Sequence, residues 1–108
     1  MAVRQMNPTA QAMEVLGDRW TLLVVSAVLR GVHRFGQLQR ELGISRTVLA
    51  DRLQVLVEHG ILERRRYRTD PDWYEYRLTS EGRALEPVIE ALSEWSRTHF
   101  ASAAAADA

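Results

Sequence analysis

The spacing of apolar side chains divides the chain into three stretches. Up to about residue 60 they recur every three to four positions, from 61 to 78 they alternate with polar residues, and after 80 the helical spacing returns. An arm over residues 1–8 ends at Pro8. Thr9 is placed to cap a short helix over 10–16, which Gly17 stops, and Asp18 is placed to cap the next. That second helix, 19–30, carries Trp20, Leu23, Val24, Ala27 and Val28, with Leu22, Val25 and Leu29 filling much of the rest, so it is expected to bury more than one face. Gly31 ends it. Phe35, Leu38 and Leu42 make one stripe of a helix over 35–42. Gly43-Ile44-Ser45 is a tight turn with a capping serine, and Leu49, Leu53 and Leu56 mark the inner face of a helix over 46–59 that Gly60 ends.

The alternation then predicts two strands, 61–67 and 73–78, around a turn at Asp70-Pro71-Asp72. Thr79 is placed to cap a last helix over 80–97, with Leu85, Val88, Ile89, Leu92 and Trp95 on one side. Pro87 inside it predicts a kink near Arg83, whose carbonyl loses its usual partner. Residues 98–108 are expected to form a flexible Ala-rich tail. The order is four helices, a hairpin and a helix: mainly α with a small antiparallel β hairpin. The pair 35–42 and 46–59 has the form of a helix-turn-helix, and the hairpin after it the form of a wing. A lone hairpin is marginal in water, so Ile61, Leu62 and alternate residues of the second strand must pack onto the helices. One domain over 9–97 follows.

Charge adds direction to this picture. Fourteen basic and fourteen acidic residues cancel, and every basic residue is Arg. They are unevenly spread: residues 30–83 hold eleven Arg against eight acids, whereas 84–108 hold one against four. An anionic partner would meet the middle of the chain. There is no cysteine, which excludes disulfides, thiol chemistry and thiolate metal sites, and His33, His59 and His99 have no metal-ligand spacing. The longest apolar run, Leu22 to Leu29, is far too short to span a membrane, and the expected location is the cytoplasm. No phosphate loop, nucleophile elbow or obvious carboxylate pair suggests an enzyme, and no cofactor is expected.

Several segments then carry a family resemblance. Met13-Glu14-Val15-Leu16-Gly17-Asp18-Arg19-Trp20-Thr21-Leu22-Leu23 resembles the opening of the HxlR-type winged-helix transcriptional regulators, relatives of the MarR group. Arg34-Phe35-Gly36-Gln37-Leu38, Gly43-Ile44-Ser45, Val48-Leu49-Ala50-Asp51-Arg52-Leu53, Gly60-Ile61-Leu62-Glu63-Arg64 and Tyr76-Arg77-Leu78-Thr79-Ser80-Glu81-Gly82-Arg83 continue it at matching spacing. The match covers about residues 9–96. The family usually has a cysteine shortly before its first helix; here that arm reads Met6-Asn7-Pro8-Thr9, which removes cysteine-based sensing. The resemblance implies a homodimer formed by the first and last helices.

A recognition helix reads base edges with the residues of its outer face. In the helix launched by Ser45 these are Arg46, Thr47, Ala50 and Gln54. Arg46 can fork onto guanine, Thr47 can meet a thymine, Ala50 permits close approach, and Gln54 can pair with adenine. The alternatives are a solvated Arg, a good helix former and a surface Gln. Ser45 is first a cap, with a phosphate contact secondary. Arg52 is read equally as a phosphate contact or a structural ion pair, and Asp51 as orienting Arg46 or Arg52. Gln37 and Arg40 are placed to steady the duplex backbone, with Arg34 and Gln39 weaker. Arg64, Arg65, Arg66, Arg68 and Arg77 are candidate wing contacts to phosphate or the minor groove, against the plain reading of a solvated face. Met6, Met13, Val88, Leu92, Trp95 and Phe100 are candidate dimer-interface residues; the alternative folds Trp95 back beside Trp20. The function expected is sequence-specific binding of a pseudo-palindromic double-stranded DNA by a homodimeric regulator, a repressor, with an unknown small-molecule effector open. The alternatives are a winged helix used for protein interaction without DNA, or a protein whose primary activity is sensing a small molecule.

Overall fold

A computed structural model describes residues 7–69 and 72–107, with side chains described at 7–67 and 74–101. The elements are α1 (Pro8–Leu16), α2 (Thr21–Leu29), α3 (Phe35–Leu42), α4 (Arg46–Glu58), β1 (Leu62–Thr69), β2 (Asp72–Leu78), α5 (Ser80–Arg83) and α6 (Glu86–Asp107). The fold is mainly helical with one antiparallel hairpin, the winged helix-turn-helix arrangement. The hairpin turn expected at 70–72 lies largely outside the described residues, as does Met6.

The core is built by α2, α3, α4 and the root of β1. Val24, Val25, Leu38, Leu49, Leu53, Leu56 and Leu62 are fully or almost fully buried. The leucines of α4 are the stripe read from the sequence. Gly43 ends α3 with φ +64, a conformation costly for any residue with a Cβ. It turns the chain so that Ile44 drops into the core and Ser45 caps α4, its hydroxyl accepting from the Val48 N–H at 3.2 Å.

Four expectations are corrected. The first cap is Asn7, whose side chain accepts from the Ala10 N–H at 2.8 Å, not Thr9; Pro8 then occupies the first helical position, where its missing N–H costs nothing. Leu23 is 46% exposed rather than buried, because α2 turns that side away from α3 and α4. The last helix is broken rather than kinked: α5 closes at Arg83, and α6 restarts at Glu86, which places Pro87 in a first turn that needs no N–H from it. The last helix, expected to end at 97, runs on through Asp107, in keeping with the helix propensity of its alanines.

The hairpin is held at its root. Thr79 donates its hydroxyl to the carbonyls of Gly60 (2.5 Å) and Ile61 (3.1 Å) while accepting from the Gly82 N–H at 3.0 Å. A third stretch supports it, with the Tyr76 N–H donating to the His33 carbonyl at 2.7 Å and a bridge between Arg34 and Glu75. Pairs run from Leu62–Leu78 to Arg66–Tyr74, then shift to Arg68–Trp73, leaving Tyr67 as a bulge. The radius of gyration is 16.5 Å, against about 13 Å for a compact chain of this length, because the wing and α6 (about 33 Å long) project from the core.

Candidate nucleic-acid interface

With Leu49, Leu53 and Leu56 turned inward, the opposite face of α4 is open. Arg46, Thr47, Ala50 and Gln54, the four expected base readers, are all exposed on it. Val48, which sequence reasoning assigned no role, is also exposed, by 38%, but helical spacing puts it on the other flank of the leucine stripe from Arg46 and Ala50. Its signal was available: it lies one residue out of register with the leucine stripe.

This face borders a continuous trough. One part, of about 800 Å³, is lined by Arg34, Phe35, Gly36, Gln37, Gln39, Arg40 and Arg46 from the helix-turn-helix and by Tyr67, Tyr74 and Tyr76 from the wing. A second, of about 420 Å³, shares Phe35 and Tyr76 and adds Ala50, Gln54, Val57, Glu58 and Arg64. The fold therefore brings Arg46, Ala50, Gln54, Gln37, Arg40 and Arg64 around the trough, whereas Thr47 lines neither part of it.

The arginines divide by their partners. Arg46 lies 5.2 Å from the centre of the Phe35 ring, Arg34 4.1 Å from Tyr67, and Arg64 and Arg66 4.3 and 6.0 Å from Tyr74. An aromatic face orients a guanidinium without cancelling its charge. Arg65 and Arg77 are instead bonded to Glu63 (Nη2 to Oε1, 2.5 Å) and Glu75 (Nε to Oε1, 3.1 Å). Alternation explains the division: Arg64 and Arg66 stand opposite Tyr76 and Tyr74, whereas Arg65 stands opposite Glu75 and Arg77 opposite Glu63. Among the wing candidates Arg64 and Arg66 thus stand against Tyr74, and Arg65 and Arg77 are paired with acids; the side chain of Arg68 lies outside the described residues.

Arg52 is also held by acids. Its Nη1 lies 3.0 Å from Asp18 Oδ2, and its Nη2 bonds Asp51. Asp18 accepts from the Trp20 and Thr21 N–H groups at 2.8 and 2.9 Å and from the Thr21 hydroxyl. Partial burial pushes the Asp18 carboxyl up, but the bonds from Thr21, Trp20 and Arg52 outweigh it and hold the group below its usual range. At Arg52 the Asp51 carboxylate leads in raising the pKa, with Asp18 adding to it against burial. His33, by contrast, is held below 6.5 first by burial and then by the Arg77 charge. Among the described residues no cluster of three or more His, Asp and Glu could hold a metal ion, and no helix is long and apolar enough to cross a membrane.

A family model described as HxlR-like helix-turn-helix matches residues 15–104. The chain belongs to this family. Among curated relatives it is 49% identical over 85 residues to Rv3095 of Mycobacterium tuberculosis (strain ATCC 25618 / H37Rv), an uncharacterised HTH-type transcriptional regulator; the match covers 79% of this chain and 54% of the relative. The chain thus spans about half the length of that mycobacterial protein. Among solved structures it superposes on PA1607 with a TM-score of 0.82 at 38% identity, covering 90% of this chain and 68% of that one. It superposes on the redox regulator HypR in its reduced form with a TM-score of 0.79 at 30% identity, covering 85% and 92%. This HxlR-like chain has no cysteine in its 108 residues.

A second surface of the HxlR-like fold lies on α1 and α6. Met13, Val88, Leu92, Trp95 and Phe100, expected at a dimer interface, are all exposed, Trp95 by 61%. Trp95 does not fold back on Trp20; it stacks on His99, with ring centroids 4.8 Å apart, and meets Phe100 edge-on at 6.5 Å. His99 and the exposed Leu23 are apolar-surface residues that sequence reasoning missed. Val88, Leu92, Trp95 and His99 fall on one helical face, which the spacing alone could have shown.

Proposed function

We propose that this chain is a homodimeric, sequence-specific double-stranded DNA-binding regulator of transcription, acting as a repressor. What carries the reading is that Arg34, Arg40, Arg46 and Arg64 surround the trough beside the open face of α4 and none of the four is ion-paired among the described residues. A face that keeps uncompensated guanidinium charge beside a groove-sized helix suits a phosphate backbone flanking a major groove. In this reading Arg46, Thr47, Ala50 and Gln54 meet base edges, Gln37, Arg40 and Arg64 meet backbone, and Ser45 caps α4.

Dimerisation follows from the apolar face of α6. Val88, Leu92, Trp95 and Phe100 are large side chains left exposed to water, and in this reading a second copy covers them. Any release from DNA by an effector runs without a thiol in these residues. The test is selection from a random duplex library by purified protein at about 0.15 M salt. The expected result is an inverted repeat. Recovery of no sequence above background, together with no retention of duplex at low salt, overturns the reading in favour of a protein-interaction module.

A further inference from the structure

The apolar stripe of α4 holds the helix against the core and sets its roll only to within the play of that packing. Burial of Leu49, Leu53 and Leu56 is non-directional and tolerates small rotations of the helix about its axis. Reading base edges does not: side chains must be held within roughly 0.5 Å or 10–20° of their productive geometry. A directional bond at the margin of the stripe is needed, and one is present. Arg52 leaves α4 on the flank of Leu49 and Leu56, three positions after one and four before the other, and reaches Asp18, in the bend between α1 and α2. Their side chains are 25% and 29% exposed. By comparison the Arg30–Glu41 pair, which joins the end of α2 to α3, is about half exposed on both sides.

Asp18 is itself immobilised. One carboxylate oxygen accepts the two N–H groups that open α2, and the other accepts the Thr21 hydroxyl and Arg52. Thr21 is fully buried, so the carboxylate is fastened to the core. Two carboxylates on one guanidinium leave the Asp18–Arg52–Asp51 group net negative, which argues against Arg52 serving a phosphate.

We infer that Asp18, acting through Arg52, is a positioning residue that fixes the roll of α4, so that sequence preference depends on a side chain that touches no DNA. The inference rests on the DNA-binding reading above. It also ties the setting of α4 to the α1–α2 bend, next to the proposed dimer surface.

The test uses Asp18→Asn, Arg52→Gln and the double variant on the full chain. The amide introduced by Asp18→Asn keeps an oxygen for both N–H groups and a polar partner for Thr21, so the cap survives the loss of charge; thermal melts check that each variant folds. Each single variant is expected to lower the preference for the selected operator over random duplex by roughly three- to tenfold, with the double variant no worse than either, as for two halves of one interaction. The salt slope stays that of the parent, and Arg52→Lys recovers part of the preference. If Arg52→Gln lowers the salt slope by about 0.9 per protomer, Arg52 is a phosphate contact and the proposal is overturned. Full preference in a folded Asp18→Asn variant overturns it too, leaving the DNA-binding reading intact. A parent that selects no duplex removes that reading and the proposal together.

Discussion

Replacing Arg40 and Arg64 together by Gln removes two guanidiniums that carry no carboxylate partner among the described residues and line different parts of the trough. Neither is in the core, so folding should be unaffected. If each meets a phosphate, each contributes about 0.9 to the slope of log affinity against log salt, and two protomers make the expected loss about 3.6. Between about 0.05 and 0.2 M salt, a slope difference of that size changes the parent-to-variant affinity ratio by roughly 150-fold, against roughly 12-fold if a single protomer binds. The assay is fluorescence anisotropy of a labelled operator duplex at four or more salt concentrations. Its control is Arg65→Gln with Arg97→Gln, whose guanidiniums are bonded to Glu63 and Glu94 and should leave the slope unchanged. A double variant at Arg40 and Arg64 with the parent's slope, or a control that loses as much, would refute the division of the arginines by partner.

Arg46→Ala should relax preference at one base pair of each half-site, by about 1–3 kcal/mol, with other positions unchanged; competition with single-substituted operators reads this. Leu92→Arg puts a charge in the middle of the α6 face and is expected to yield monomer in sedimentation velocity at concentrations where the parent is a dimer; an undisturbed dimer would place the interface elsewhere. Gly82→Ala should lower stability by about 1–3 kcal/mol in urea titrations, because an added Cβ meets the Ile61 carbonyl and the Leu78 side chain under the hairpin. His33 is held below its usual 6.5 by burial and the Arg77 charge, against weaker pulls from Glu75 and the Val28 carbonyl. The unfolded chain therefore binds more protons just below 6.5, so stability is full above that pH and falls as pH drops through the lowered value. His33→Gln should flatten that dependence, and a parent with flat stability between about pH 5 and pH 7 would contradict it.

Much of the frame was legible because it rests on local pattern. The helix over 35–42 appears at the residues its apolar stripe marked, and Ser45 caps α4 where a serine after a glycine turn should. The open face of α4 followed from the leucine stripe by elimination. What was not legible depends on partners distant in the chain. Nothing local to Arg52 says that Asp18 holds it. Alternation placed Arg64 and Arg66 on one face of the wing and Arg65 on the other, but only the register with β2 shows that the first two meet tyrosine and the third stands among acids. The break at Ala84–Leu85 replaced a kink because Pro87 is tolerated in a first turn as well as in a bent interior, and the sequence pattern around it suits both. Leu23 looked like core because α2 is apolar on nearly every side, which hides the one side left open.

In the proposed homodimer two copies of α4 enter successive major grooves on one face of a duplex. Methylation protection at guanine N7 on the selected operator tests it most directly, since that atom lies on the major-groove floor. Two protected patches are expected, their centres about 34–36 Å apart, one helical turn. Protection confined to the backbone, or a single patch with no symmetric mate, would contradict it.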